Sequence, residues 1–410
     1  MTRGPFDILI VGAGIAGCSA AIALTEAGHR VRVIERQGSW RFQSSGIFVY
    51  ANGLVSLDRL GLLEGILAAG FAVPGGRNAY LDHTGAPIVE TVYPRAEGGR
   101  IPAILGIKRA ELNRVMAGRV AELGVSVRLG TTVSALQQDG RGVDVALSDG
   151  RRLRADLVIG ADGVRSTTRS MIGIDAEPRY TGFGVWRAVH RRPAGLTDKI
   201  MMMGPRKRFG IMPISDDLLY TFGTVAEPKG SHYPPDTWAA EMRARFAEFG
   251  GPARAFLDDL GPGSEILYTA VEEVVLDPPW HHGRVLLIGD AAHASTPFMG
   301  QGGAMAMQDA VALATALARH QTDTALAAFG RARGPVCRFV QDVSRAVGEA
   351  GAAEADGGLE QRNAEMRATA QDKVDGFYAR LDALNAEAEA MLSADGEGIR
   401  TRPDTSSPAH

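Results

Sequence analysis

An α/β architecture is expected of this chain: a parallel-sheet domain, a second domain built on an antiparallel sheet, and helices toward the C-terminal end. Three observations carry that expectation. Asp7 to Ala27 reads as a strand, a glycine turn and a helix. Two more apolar strands, Leu157 to Ile159 and Val285 to Ile288, also run into glycines, at Gly160 and Gly289. Residues 73–100 and 178–277 switch to short alternating pieces punctuated by Gly and Pro, the texture of antiparallel strands.

Taken in order, Asp7 to Val11 is apolar enough to be a strand buried on both faces. Ile15 to Ala27 follows as a helix closed by Gly28, and Val31 to Glu35 completes a βαβ unit. Asn52 can cap a helix carrying Leu54, Leu57, Leu60 and Leu63. Arg109 to Leu123 places Leu112, Met116, Val120 and Leu123 on one helical face. Val125 to Arg128, Val133 to Gln137, Val143 to Leu147 and Leu153 to Arg154 are short strands, with Asp-Gly turns at 139–140 and 149–150. Gly184 to His190, Lys199 to Met203, Arg208 to Pro213, Leu218 to Val225 and Ile266 to Leu276 form the antiparallel sheet. Helices are expected from Trp238 to Phe249 and Ala253 to Leu260. After Val336 the chain is helical or loose, and Gln361 to Leu392 has apolar residues at near-helical spacing, suited to packing on the body or on a second subunit. From Ser393 it is polar and expected to be disordered. The expected domains are therefore 1–72, 101–177 and 278–345 (discontinuous, nucleotide-binding), 73–100 and 178–277 (substrate), 346–392 (C-terminal helices) and a tail, 393–410.

A net charge of -3 offers no excess to attract nucleic acid or an anionic membrane. Two cysteines, Cys18 and Cys337, make neither a disulfide framework nor a metal cluster, so no metal is expected and a reducing cytoplasm is the default. Ile8 to Thr25 lacks charge, but Gly12, Gly14 and Gly17 interrupt it in a nucleotide-loop pattern, which argues for a buried strand–turn–helix over a membrane span or signal peptide. A monomer or homodimer is expected.

The chemistry sits at the three strand ends. Gly12-Ala13-Gly14-Ile15-Ala16-Gly17 matches the dinucleotide fingerprint: Gly12 permits the tight turn, Gly14 lets a pyrophosphate approach the backbone, and Gly17 allows close helix-on-strand packing. Glu35, followed by Arg36, ends the second strand, where a carboxylate can accept hydrogen bonds from both ribose hydroxyls. Asp162-Gly163 follows the strand ending at Gly160, a place that equally suits a capping aspartate. Gly289-Asp290-Ala291-Ala292-His293, then Pro297 and Gly300-Gln301-Gly302-Gly303, precede an alanine-rich helix. A carboxylate, a glycine loop and a helix N-terminus suit a flavin, because Asp290 can bind ribityl hydroxyls and the helix dipole can hold negative charge on the reduced ring. Together the three turns indicate FAD.

In order and spacing, these motifs resemble those of the single-component FAD-dependent aromatic hydroxylases related to para-hydroxybenzoate hydroxylase. The resemblance spans about Asp7 to Arg333, includes Trp280, Gly283 and Arg284-Val285, and fades in the antiparallel sheet. It implies a Rossmann-like FAD domain with an antiparallel-sheet substrate domain. It implies Asp290 on the ribityl chain, Pro297 and the Gly300–Gly303 backbone along the isoalloxazine, and Asp162 and Gly163 near the pyrophosphate. Arg109 of Ile107-Lys108-Arg109-Ala110-Glu111-Leu112 matches an arginine that contacts FAD. Arg41 and Gly46 are carried over too, although Ser44-Ser45 stand where the family more often has Gly-Ala. The implied reaction takes NADH or NADPH as transient reductant and O2, and hydroxylates an aromatic or heteroaromatic small molecule through a flavin hydroperoxide. No separate nicotinamide domain is implied.

Substrate-side candidates come from the antiparallel sheet. Arg187 can bind a carboxylate or phenolate, His190 or Tyr220 can deprotonate a phenol, and Pro297 borders the reacting ring. Tyr220 equally suits a core position and His190 an exposed one; Met201-Met202-Met203 suits an apolar wall or core packing. His293 reads as a structural part of its loop. Three other readings stand beside hydroxylation. The same cofactor can epoxidise or rearrange a natural product. A flavin-binding redox sensor or partner protein would use the C-terminal helices as an interaction arm. A membrane-associated quinone-ring hydroxylase finds no basic amphipathic segment in its favour.

Overall fold

The computed structural model describes residues 4–40, 45–352 and 358–394; Arg41 and most of the expected tail lie outside the described residues. Ile8, Leu9 and Ile10 are fully buried because their strand, Asp7–Val11, is central in a six-stranded sheet with helices packed on it. The order across that sheet is His281–His282, Val285–Leu287, Leu157–Gly160, Asp7–Val11, Arg30–Ile34 and Ser126–Arg128. All pairings are parallel except the one at the His281–His282 edge. The three strands that run into glycine turns are therefore neighbours, and their carboxyl ends open on one crevice, where open α/β sheets take ligands.

The second sheet has seven strands, ordered Ile266–Glu273, Arg179–Arg191, Leu218–Ala226, Lys207–Pro213, Lys199–Gly204, Arg77–Asp82 and Pro87–Val92. Residues 77–92 thus join the strands of 179–273, through a parallel pairing with Lys199–Gly204. A separate core fills one face, where Trp186, Phe209 and Ile211 meet Phe246, Phe249 and Leu257 from the helices Trp238–Arg245 and Gly251–Asp258 and the loop between them.

A third sheet was not expected from the sequence. Gly46–Tyr50, Ile104–Lys108 and Phe71–Ala72 pair antiparallel between the two larger sheets. Gly106 lies so close to Pro213 of the seven-stranded sheet that a Cβ would stand 2.0 Å from its carbonyl oxygen.

Two expectations are corrected. Asn52 is not a cap: the helix Ala51–Arg59 starts one residue earlier, and the Asn52 amide donates to Gln301 Oε1 at 2.8 Å. The helix Thr322–Ala352 runs unbroken through the boundary placed at 345, where the buried Gly348 and Gly351 let it pack closely on Phe298 and Arg208. The last helix, Gly358–Ser393, buries Phe377, Tyr378, Leu381 and Leu384 in the main core and lies against Pro87–Val92. Among the described residues no helix is long and apolar enough to cross a membrane.

Candidate active site

The first strand end is shaped by steric necessity. Gly12 has φ +103°, and a Cβ there would meet the Ala161 carbonyl oxygen at 2.4 Å. A Cβ on Gly17 would stand 1.9 Å from the Gly12 oxygen, so this glycine lets the helix Ile15–Glu26 sit on its strand. Gly14 differs: a Cβ there meets nothing within 4 Å. The space before it is open, as a bound pyrophosphate requires. Glu35 accepts from the Ala13 amide at 2.8 Å and the Gln37 amide at 2.7 Å, and each oxygen keeps a further lone pair for a ribose hydroxyl. Arg36 is exposed and does not border the crevice.

A cavity of about 430 Å³ lies between the two domains. Gly14, Ala16, Gly163 and Asp290 line its nucleotide side, with Pro297, Gly300, Gly302 and Gly303 beyond them. Arg187 and Tyr220 of the seven-stranded sheet face these glycines, and Gly46 and Arg109 complete the rim. Phe48, from the unexpected strand, presses on Gly300, where a Cβ would meet its ring at 2.2 Å. Burial pushes the Arg187 guanidinium down to about 10, so it remains charged at neutral pH; its Nη1 donates to Thr269 Oγ1 at 2.8 Å.

The Gly289–Gly303 loop is braced from behind. Asp309 accepts from the Gly289 amide at 2.9 Å, from His293 Nε2 at 2.6 Å and from Arg333 Nε at 2.8 Å. Burial alone would raise the Asp309 carboxyl, but His293 and Arg333 hold it at about 2. Burial alone would lower the His293 imidazole, yet Cys337 and Asp309 lift it well above its ordinary value. His293, Asp309 and Cys337 place donor atoms within 4.8 Å of one another, but the Arg333 guanidinium already occupies that cluster as its cation. A second brace joins two strand ends: buried Arg169 donates to the Ala291 carbonyl at 2.9 Å and the Val164 carbonyl at 3.0 Å.

Several expected residues stand elsewhere. The Asp162 carboxylate accepts from Ser166 Oγ and from the Thr168 amide and hydroxyl, so it fixes the start of the helix Thr167–Met171; the backbone beside it, at Ala161 and Gly163, borders the cavity. Gly289 and Gln301 flank the cavity without lining it, the Gln301 side chain being buried against Asn52. His190 lies on the opposite face of its strand from Arg187. It is buried in the second core with Nε2 3.0 Å from Thr221 Oγ1 and its ring 5.2 Å from Phe256, so it is no base for this cavity. Tyr220 does face the cavity, but burial pushes its phenol far above the ordinary range, which removes it as a base.

Lys199 was missed. It is 3% exposed at the start of Lys199–Gly204, and its Nζ donates to the hydroxyls of Tyr50 and Tyr93, each at 3.1 Å. The same nitrogen stands 4.9 Å over the Phe48 ring. Burial pushes its ammonium down to about 7. The one sequence signal was a lysine in phase with Met201 and Met203 on a strand whose other face is core.

Comparison with known proteins agrees with this geometry. The family model described as FAD binding domain matches residues 5–342. The chain is 32% identical to the aurachin C monooxygenase/isomerase of Stigmatella aurantiaca, over 90% of its own length and 95% of that protein's. It is 31% identical to the 2-heptyl-3-hydroxy-4(1H)-quinolone synthase of Pseudomonas aeruginosa, over 88% and 93%. The crystal structure of Klebsiella pneumoniae HpxO complexed with FAD and uric acid superposes with a TM-score of 0.79 at 26% identity, covering 94% of this chain and 97% of that one.

Proposed function

The chain belongs to the FAD-binding-domain family and is an FAD-dependent monooxygenase of the aromatic-hydroxylase type, and from that premise we propose that it hydroxylates a heteroaromatic ring carrying an acidic O–H or N–H, with NADH or NADPH as electron donor. Uric acid and quinolones, named for the relatives, are rings of that kind. The observation that carries the reading is the cavity that sets the flavin-loop glycines opposite Arg187 and Lys199.

In this reading Gly12, Gly14, Gly17 and Glu35 hold the nucleotide end of FAD, and Asp290 the ribityl chain. Pro297, Gly300, Gly302 and Gly303 would border its ring, and the positive end of the helix Gly302–Arg319 would favour negative charge there. Bound FAD supplies two-electron storage and activation of O2. The remaining work is the protein's. Arg187 holds the acidic oxygen of the substrate by a charge-assisted hydrogen bond. A neutral Lys199 spends two N–H groups on Tyr50 and Tyr93, and its lone pair takes the acidic proton, making the ring electron-rich. Phe48, Met201 and Phe222 exclude water from the cavity. Two buried free thiols suit a reducing, cytoplasmic setting.

The test is NAD(P)H oxidation by the holoenzyme with hydroxypyridines, 4(1H)-quinolones and urate, products being followed by mass. At least one ring should stimulate oxidation and gain one oxygen. Oxidation that no ring stimulates contradicts the reading.

A further inference from the structure

Behind the flavin-side cavity lies a second chamber of about 800 Å³, nearly twice the volume of the first. The two share a wall, since Lys199, Met201, Arg208 and Phe298 border both. The substrate sheet supplies Met203, and the helices Thr322–Ala352 and Gly358–Ser393 supply Phe339, Val343, Val347 and Met366. Three guanidinium groups stand at its edge: Arg362 donates to the carbonyls of Met203 and Gly204 and to Asn363 Oδ1, Arg208 donates to the carbonyl of Val347, and Arg380 pairs with Glu387. Its outer rim carries the exposed ion pair of Glu365 and Lys373, at 2.6 Å.

A hollow of this size is in the range of ligand pockets, roughly 300–1,000 Å³. A lone ring seated in the flavin-side cavity has nothing to place in it. A ring that carries a long apolar chain does. Met201, Met203, Met299 and Met366 add four unbranched thioethers, which adapt to a flexible chain better than branched side chains. Lys199 borders both cavities, so a ring held beside it would direct an attached chain toward the chamber.

We propose that this chamber binds an alkyl or isoprenoid chain attached to the heteroaromatic ring, so that the substrate is a two-part molecule. Its polar ring lies between Arg187, Lys199 and the flavin loop, and its chain lies between the sheet and the two C-terminal helices. The proposal rests on the hydroxylation reading above and narrows its substrate class.

The experiment uses the FAD-loaded enzyme and 2-alkyl-4(1H)-quinolones from methyl to nonyl, measuring equilibrium binding and steady-state turnover separately. Each added methylene should tighten binding about fourfold, the increment expected when a CH2 leaves water for an apolar site. Val343→Trp and Val347→Trp fill the chamber away from the ring. They should flatten the chain-length dependence while leaving FAD content and the weak binding of the methyl compound unchanged. Affinity that does not depend on chain length, or a dependence that survives both filled variants, overturns the proposal. Chain-dependent binding without stimulated NAD(P)H oxidation would sink the hydroxylation reading instead and leave the chain site standing.

Discussion

Lys199 Nζ lies 3.1 Å from the hydroxyl of Tyr50, inside an aromatic enclosure completed by Phe48 and Tyr93, and among the described residues no carboxylate pairs with it. A lone buried ammonium is unfavourable, so the folded protein binds this proton less readily than the unfolded chain does. The depressed pKa gives the sign. The cost of burying Lys199 grows as pH falls from its ordinary value toward about 7, and is constant below that.

Lys199→Met should therefore raise the melting temperature, and by more at pH 7 than at pH 10. The same variant should lose about 100-fold or more in kcat/KM. In the parent enzyme kcat/KM should rise with pH through about 7, as the amine becomes neutral. That rise should vanish in the variant. Thermal scans and pH–rate profiles check both halves, and a variant that is stabilised yet fully active would remove Lys199 from the chemistry.

Asp309→Asn tests the brace behind the flavin loop. It leaves His293 and Arg333 buried as unanswered cations, a change worth about 3–5 kcal/mol of stability. Because the Asp309 carboxyl is depressed, its contribution is full above the ordinary carboxylate range and fades as pH falls toward about 2. The raised His293 contributes below its ordinary value and loses that contribution as pH climbs through its folded-state pKa. Denaturant melts should show the loss at pH 7, with flavin released at lower denaturant than in the parent.

Gly17→Ala and Gly14→Ala separate folding from cofactor binding. The first drives a Cβ into the Gly12 carbonyl and should yield little folded protein. The second meets open space, so the apoprotein should fold normally while FAD binds about tenfold or more weaker, since the added methyl crowds the bound pyrophosphate. Titration of apoprotein with FAD measures the difference.

Arg187→Ala and His190→Ala, three residues apart on one strand, should behave oppositely. Removing a charged hydrogen-bond donor from the cavity should lower kcat/KM about 10- to 100-fold with little effect on melting. Removing His190 empties a place in the second core, and should cost about 1–3 kcal/mol of stability while leaving kcat intact.

Much of this was legible in the sequence because glycine turns after apolar strands have few alternatives. Gly12, Gly160 and Gly289 mark three strand ends that become neighbours in one sheet. The face of His190 was legible too: a period of two puts it opposite Arg187, and treating both as cavity residues ignored that alternation. Gly46–Tyr50 was missed because its partner, Ile104–Lys108, is distant in the chain and the strand has no turn signal of its own. Lys199 was missed for a related reason. Its enclosure comes from Phe48, Tyr50 and Tyr93, which lie on other segments, so no local pattern marks it. Asp162 has a local structural task that the motif did not specify, its carboxylate accepting from Ser166 and Thr168 at the start of a short helix while Ala161 and Gly163 beside it border the cavity.

The most direct measurement is oxygen tracing in a single turnover. Enzyme reduced anaerobically with NAD(P)H and loaded with a ring substrate is exposed to 18O2, and the product is weighed by mass spectrometry. One 18O atom is expected in the product for each NAD(P)H consumed, with reoxidised yellow FAD still on the protein. Unlabelled product, or labelled hydrogen peroxide in place of labelled product, would contradict it.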